Sequence, residues 1–248
     1  MATVYNNYFI FKNEFFFFIP EISFIFFITI LLVFAVITLF YDTLPYFNFF
    51  NFFFYILLIF YFFELYMLFN GICSDYSLFS FSYVSNSYLL LIRIFFLLFI
   101  IIFWALLKIY SNLICLFNFE ILFLITGSIL GLYLMFSSYD FINLYLSLEL
   151  YSLCAYTFIG YFKKNLLYVE SAFKYFVIGS LSSSFFLFSV CCIYSVFGTF
   201  NFYDLEILLY YNKFFSYDNF SSNLLINLFF IILIASFFIK IGAAPFHF

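Results

Sequence analysis

Charge is almost missing from this sequence: 8% of its 248 residues are Asp, Glu, Lys or Arg, against 69% that are hydrophobic. Soluble domains carry about 25% charged and about 45–50% apolar residues, so the chain reads as an integral membrane protein. Histidine is reduced to His247, and Cys73, Cys115, Cys154, Cys191 and Cys192 form no CxxC pair and no Cys/His cluster. Neither a zinc nor an iron–sulfur site can be assembled from such a set, and no metal is expected. The absence of G-x-G-x-x-G and of a P-loop removes local support for dinucleotide and nucleotide chemistry. The absence of a basic run removes nucleic acid as a partner. MATVYNNYFIFKNEF contains no short apolar block with a small-residue cleavage site, so no signal or transit peptide is expected.

What is present in excess is aromatic: 51 Phe and 24 Tyr, against 7 Gly and 3 Pro. These residues have adenine- and thymine-rich codons, and the bias is of the kind common in organellar genomes. Apolar runs long enough for a hydrocarbon core of about 30 Å, some 20 residues each, fall near 18–40, 51–70, 88–110, 118–137, 139–161, 170–197 and 224–247. The expected fold is therefore all-α, a polytopic transmembrane bundle of about seven helices surrounded by lipid and making up a single transmembrane domain over 1–248. Only 71–87 and 198–223 are polar enough to emerge far from the membrane. Lys108, Lys163 and Lys164 share one side, which the positive-inside rule assigns to the matrix or cytoplasm.

Against this apolar background the few buried charges stand out. Glu149 lies in LYLSLEL, and a carboxylate at mid-membrane costs roughly 2.5–3.5 kcal/mol on insertion scales, which makes it a functional candidate. Tyr145, Glu149, Ser152 and Tyr156 recur every three or four residues and so stack on one helix face, with phenols and a hydroxyl able to bond a carboxylate. The structural alternative is a Glu that only joins helices. Lys174 follows Glu170 by four residues, the spacing of an ordinary stabilising pair, and lies near a helix end from which it could snorkel. Beyond it, IGSLSSS places Gly179 and several serines in mid-helix, where they permit close packing. Gly127 and Gly131 in the fourth span form a GxxxG pattern with the same meaning. Lys240 precedes IGAAPF, so Gly242 and Pro245 should break the seventh helix just past the charge. Unwound backbone at membrane depth is tolerated only where protein buries it or water lines it, as in many transporter ion sites. His247 adds a group that titrates near neutrality.

The runs ILGLYLMFSSYDFINLYLSLELYSLCAYTFIGYF, ESAFKYFVIGSLSSSFFLFSVCCIYSVFGTFNF and FIKIGAAPFHF, with IPEI at 19–22, closely resemble the amino-terminal half of NADH dehydrogenase subunit 2, the NuoN-like, antiporter-related membrane subunit of respiratory complex I. The match is specific over 119–202 and 237–248 and rests on hydropathy alone between about 41 and 118. The resemblance implies that 1–117 are peripheral first helices and that 118–248 begin an antiporter-like helix repeat. It sets Glu149, Lys174 and Lys240 at the family's fifth-helix glutamate, sixth-helix lysine and broken-seventh-helix lysine. It further implies proton translocation driven by electron transfer elsewhere in a proton-translocating NADH:ubiquinone reductase, in the mitochondrial inner membrane. Flavin, iron–sulfur clusters and quinone would lie in other subunits, with no cofactor in this chain.

Family members continue beyond PFH into several further helices carrying two more lysines. The expectation is a split gene, with a second chain supplying the C-terminal half and other membrane-arm subunits as neighbours. A scaffold subunit without proton traffic and a seven-helix receptor are the alternatives. The receptor gives no account of the buried charges.

Overall fold

The computed structural model describes residues 46–69, 76–78, 83–114, 119–161, 166–215 and 220–243, with isolated helical positions between 22 and 33. Within it are helices α1 (Tyr46–Phe69), α2 (Ser87–Ile114), α3 (Phe119–Ser137), α4 (Phe141–Ile159), α5 (Leu166–Phe197), α6 (Phe202–Phe215) and α7 (Phe220–Ile241). A two-stranded antiparallel hairpin, β1 (Tyr76–Leu78) and β2 (Tyr83–Ser85), separates α1 from α2. The all-α membrane fold expected from the sequence is thus found. Four helices are long and apolar enough to cross a membrane, and α1 and α7 contribute shorter apolar stretches, Phe54–Phe69 and Leu225–Ile241. The expected span at 18–40 lies mostly outside the described residues, as do Lys163, Lys164, Pro245 and His247.

The two segments read as polar connections hold regular structure. The hairpin occupies part of 71–87, and α6 occupies much of 198–223. Helix α6 forms because its start is well capped. Asn201 Oδ1 accepts the Tyr203 amide at 3.1 Å, and Asp204 places a negative charge in the first turn, where the helix dipole favours it. A backbone pair ties this start to that of α4: the Phe141 amide donates to Phe200 O and the Phe202 amide to Tyr139 O, each at 3.2 Å. Gly198, at φ 73°, ends α5 in the left-handed region that glycine reaches without strain.

The chain divides into two units, Met1–Ser137 and Ser138–Phe248. In the first, α2 packs against both α1 and α3. In the second, α5 is central and packs against α4 and α7. Lipid is as apolar as leucine, so transfer from water contributes little to helix association here, and close packing contributes more. Helix α5 supplies that closeness with Gly179, Ser182, Ser183 and Ser189, all on its buried face. Gly179 is the extreme case: a Cβ there would fall 1.6 Å from the Tyr156 hydroxyl, so the α4 phenol lies directly on α5 backbone. The serines do not leave polar atoms stranded, because each hydroxyl donates to the carbonyl three residues earlier, as in Ser182 to Gly179 at 2.6 Å and Ser183 to Ser180 at 3.0 Å. Nearer the α6 end the contacts become aromatic, with Phe186 fully buried between Phe141, Tyr145 and Phe237.

Candidate functional site

Helix α4 has 19 residues, and Glu149 is close to its midpoint. A helix of that length spans about 28 Å, so Glu149 lies about as far as it can from either end. Helix α7 ends differently. Gly242 adopts φ 69°, its amide donates to Ile239 O at 3.1 Å, and the Ala243 amide donates to Phe238 O at 3.0 Å. These two bonds are a Schellman motif, which closes a helix on a left-handed glycine. Lys240 therefore stands in the last turn of α7, and the break expected just beyond it is present.

The two residues meet. Lys240 Nζ lies 3.9 Å from Glu149 Oε1, with side chains 14% and 25% exposed. At that separation the contact is electrostatic, because a charge-assisted N–H···O bond needs about 2.7–2.9 Å. Nζ itself is buried and makes no hydrogen bond among the described residues. Since Lys240 reaches the middle of α4, the end of α7 lies half-way along its neighbour. An ammonium and a carboxylate held near each other but not bonded can be closed or opened by small helix shifts.

The remaining candidates separate into neighbours and outliers. Ser152 and Tyr156 are buried on α4, and Tyr145 stacks on Phe186. The Ser152 hydroxyl donates to the backbone carbonyl of Glu149 at 3.0 Å, not to its carboxylate. The polar seam thus borders Glu149 without neutralising it. Lys174 is not brought to this pair. It bonds Glu170 at 2.6 Å, and both side chains are more than half exposed, which is the local helix pairing that the spacing allowed.

One polar cluster was missed entirely from sequence. Glu64 of α1, Arg93 of α2 and Tyr133 of α3 are 1%, 4% and 1% exposed. Arg93 Nη1 approaches Glu64 Oε1 to 3.9 Å, the Tyr133 hydroxyl donates a hydrogen bond to the same oxygen, and the guanidinium lies 5.0 Å from the Tyr133 ring centroid. The signal was available: YFFEL and LLIRIFF each hold one charge in an apolar run, the rule that singled out Glu149.

Comparison with known proteins locates the second unit. Residues 138–248 match the NADH:quinone oxidoreductase/Mrp antiporter transmembrane family. The matched residues make up just under half of the chain. Glu149, Lys174 and Lys240 all fall inside the antiporter-family segment, whereas Glu64, Arg93 and Tyr133 fall outside it. Among curated proteins, subunit N of the NADH-quinone oxidoreductase of Ruthia magnifica is 35% identical over 134 residues, covering 53% of this chain and 26% of that protein. The corresponding subunit from a Paenibacillus strain is 36% identical over 128 residues, covering 52% and 23%. The matched stretch thus spans about a quarter of the length of these antiporter-type relatives. In fold, the chain resembles a chain of respiratory complex I from Thermus thermophilus with bound aureothin, with a TM-score of 0.61 and 22% identity over 89% of this chain and 45% of that one. A second likeness is to a chain of the archaeal membrane-bound sulfane sulfur reductase, with a TM-score of 0.51 and 23% identity over 61% and 30%.

Proposed function

We propose that this chain is an antiporter-type membrane subunit of a proton-translocating NADH:quinone oxidoreductase, in which Lys240 carries the proton and Glu149 is the counter-charge that switches it. The observation that carries this reading is the ion pair at the broken end of α7: a buried ammonium, 3.9 Å from a mid-helix carboxylate and without a hydrogen bond among the described residues. Two unit charges about 4 Å apart attract by about 4 kcal/mol at an effective dielectric constant of 20. Every 1.36 kcal/mol corresponds to about a tenfold change in proton affinity. Moving Glu149 about 3 Å further away would therefore weaken that attraction by about 1.8 kcal/mol and change the proton affinity of the amine roughly twentyfold. Lysine suits this task because its ammonium can lose a proton, which arginine does not do. Lys174, already compensated by Glu170, is assigned only a modulating part.

In this reading electrons move through flavin, iron–sulfur clusters and quinone held by other subunits, and this chain borders other membrane-arm subunits and lipid. The adenine- and thymine-biased composition supports the inner mitochondrial membrane as its location, although the relatives named above are prokaryotic.

A scaffold role is the second reading, favoured by one observation: a lysine in the last turn of a helix also complements the helix dipole. Lys240→Met in the assembled complex separates the two. With membrane vesicles oxidising NADH, the pump reading expects fewer protons moved per electron while NADH oxidation persists. An unchanged ratio overturns it and leaves the scaffold.

A further inference from the structure

The buried cluster of the first unit has no part in the reading above, and its geometry differs from that of a purely structural salt bridge. Structural Arg–carboxylate pairs are commonly bidentate, with two parallel N–H···O bonds. Here the Arg93–Glu64 contact stays at 3.9 Å, and the hydrogen-bond partner of the Glu64 carboxylate is a neutral hydroxyl, that of Tyr133. A phenolic O–H can donate to a carboxylate or, after rotating, accept from a carboxylic acid. Glu64 therefore keeps a hydrogen bond in either protonation state. Arg93 keeps its place over the Tyr133 ring in both states, since cation–π attraction does not depend on the acid.

Position supports the same use. Glu64 is five residues before the end of α1, Arg93 six residues after the start of α2, and Tyr133 four residues before the end of α3. At 1.5 Å per residue, all three lie about 6–9 Å inside the same end of the unit, the end that carries the hairpin. The depth is great enough to exclude water from the carboxylate, which is 1% exposed, and small enough for a proton to arrive from the interface. Among the described residues, Arg93 from α2 and Tyr133 from α3 are the charged and titratable groups that face Glu64.

We propose that Glu64 is a second proton-binding site, separate from the Glu149–Lys240 pair. A proton from interfacial water adds to the Glu64 carboxylate, the Tyr133 hydroxyl turns from donor to acceptor, and the cluster passes from neutral to a single positive charge held on Arg93. The inference does not rest on the pump reading, because it concerns proton binding at equilibrium and not turnover.

The test is infrared difference spectroscopy of the full chain in lipid vesicles, titrated with acid. The expected result is a carbonyl stretch of a buried carboxylic acid that grows as pH falls, is lost in Glu64→Gln, shifts in Glu64→Asp and moves again in Tyr133→Phe while the other bands stay in place. Glu64→Asp and Tyr133→Phe keep the acid and so keep the test usable should the Gln variant fold poorly. A carboxylate that stays ionised throughout the pH range of the folded protein overturns the proposal, and so does an acid band that never titrates.

Discussion

Glu64–Arg93 in the first unit and Glu149–Lys240 in the second stand at the same 3.9 Å separation, yet the two pairs are built differently. The first is sealed, with side chains 4% and 2% exposed, and its base is the chain's one arginine. The second is partly open, and its base is a lysine with no hydrogen bond among the described residues. The difference teaches that separation alone does not assign a role. A fixed cation beside an acid leaves the acid as the group that can change, whereas a lysine beside an acid can itself give up the proton. The units also differ in what accompanies their apolar cores: the first adds a buried polar cluster, and the second adds glycine and serine on the packed face of α5.

The comparison breaks most visibly if the sealed pair proves cheap to dismantle. Glu64→Leu leaves a buried arginine without its acid and is expected to cost about 3–5 kcal/mol, the range for breaking a buried pair, as read by unfolding in detergent. Lys240→Met should cost clearly less, because the acid left behind, with its side chain 25% exposed, is far less enclosed by the protein than Arg93 at 4%. Equal losses would erase the distinction. Glu64→Gln, which preserves the Tyr133 hydrogen bond, should fall below Glu64→Leu.

Next in size is the packing of the second unit. Gly179→Ala drives a methyl group into the Tyr156 phenol and should destabilise by about 1–3 kcal/mol, the usual range for overpacking. Gly160→Ala meets Ala172 Cβ at 3.2 Å, a milder contact, and should cost less. Thermal unfolding of the two variants side by side measures the contrast, and a neutral Gly179→Ala would show that the α4–α5 contact is not wedged.

A smaller effect concerns the junction of α4 with α6. Burial and the Asp204 carboxylate raise the Asp140 acid above its ordinary value. A folded-state value above the unfolded one means that the folded protein binds more protons, so the junction gains stability as pH falls through the raised value and loses it as pH rises. Asp140→Asn should flatten that dependence, as followed by hydrogen exchange at the Phe141 and Phe202 amides after correction for intrinsic rates. The least effect is expected at Lys174. Its exposed pair with Glu170 resembles surface ion pairs that contribute little, so Lys174→Gln should leave the unfolding temperature unchanged within error.

Much of this could be read from the residues, for identifiable reasons. Spans over 51–70, 88–110, 118–137, 139–161 and 170–197 correspond to α1 to α5 because apolar length is a direct requirement of a bilayer. The break after Lys240 was legible because left-handed backbone selects glycine, and Gly242 is the residue that adopts it. Helix α6 was not legible, since its apolar content is too low for a span and its stability depends on Asn201 and on the backbone pair with α4. The Glu64 cluster was overlooked because its three members come from three helices, and periodicity within one helix says nothing about convergence among several.

The sequence by itself determined that this chain inhabits a membrane, roughly where its long apolar helices fall, and which few charges must find partners there. It did so because an apolar solvent penalises every unpaired charge and every unbonded backbone group. Only the tertiary structure decided which partner each charge received. It set Lys240 at mid-depth against Glu149 although α7 alone is long enough to place it at a boundary, left Lys174 with its helical neighbour, and joined Glu64, Arg93 and Tyr133 from helices up to 69 residues apart. Pairing across helices depends on how their faces meet, and that depends on packing among all of them together.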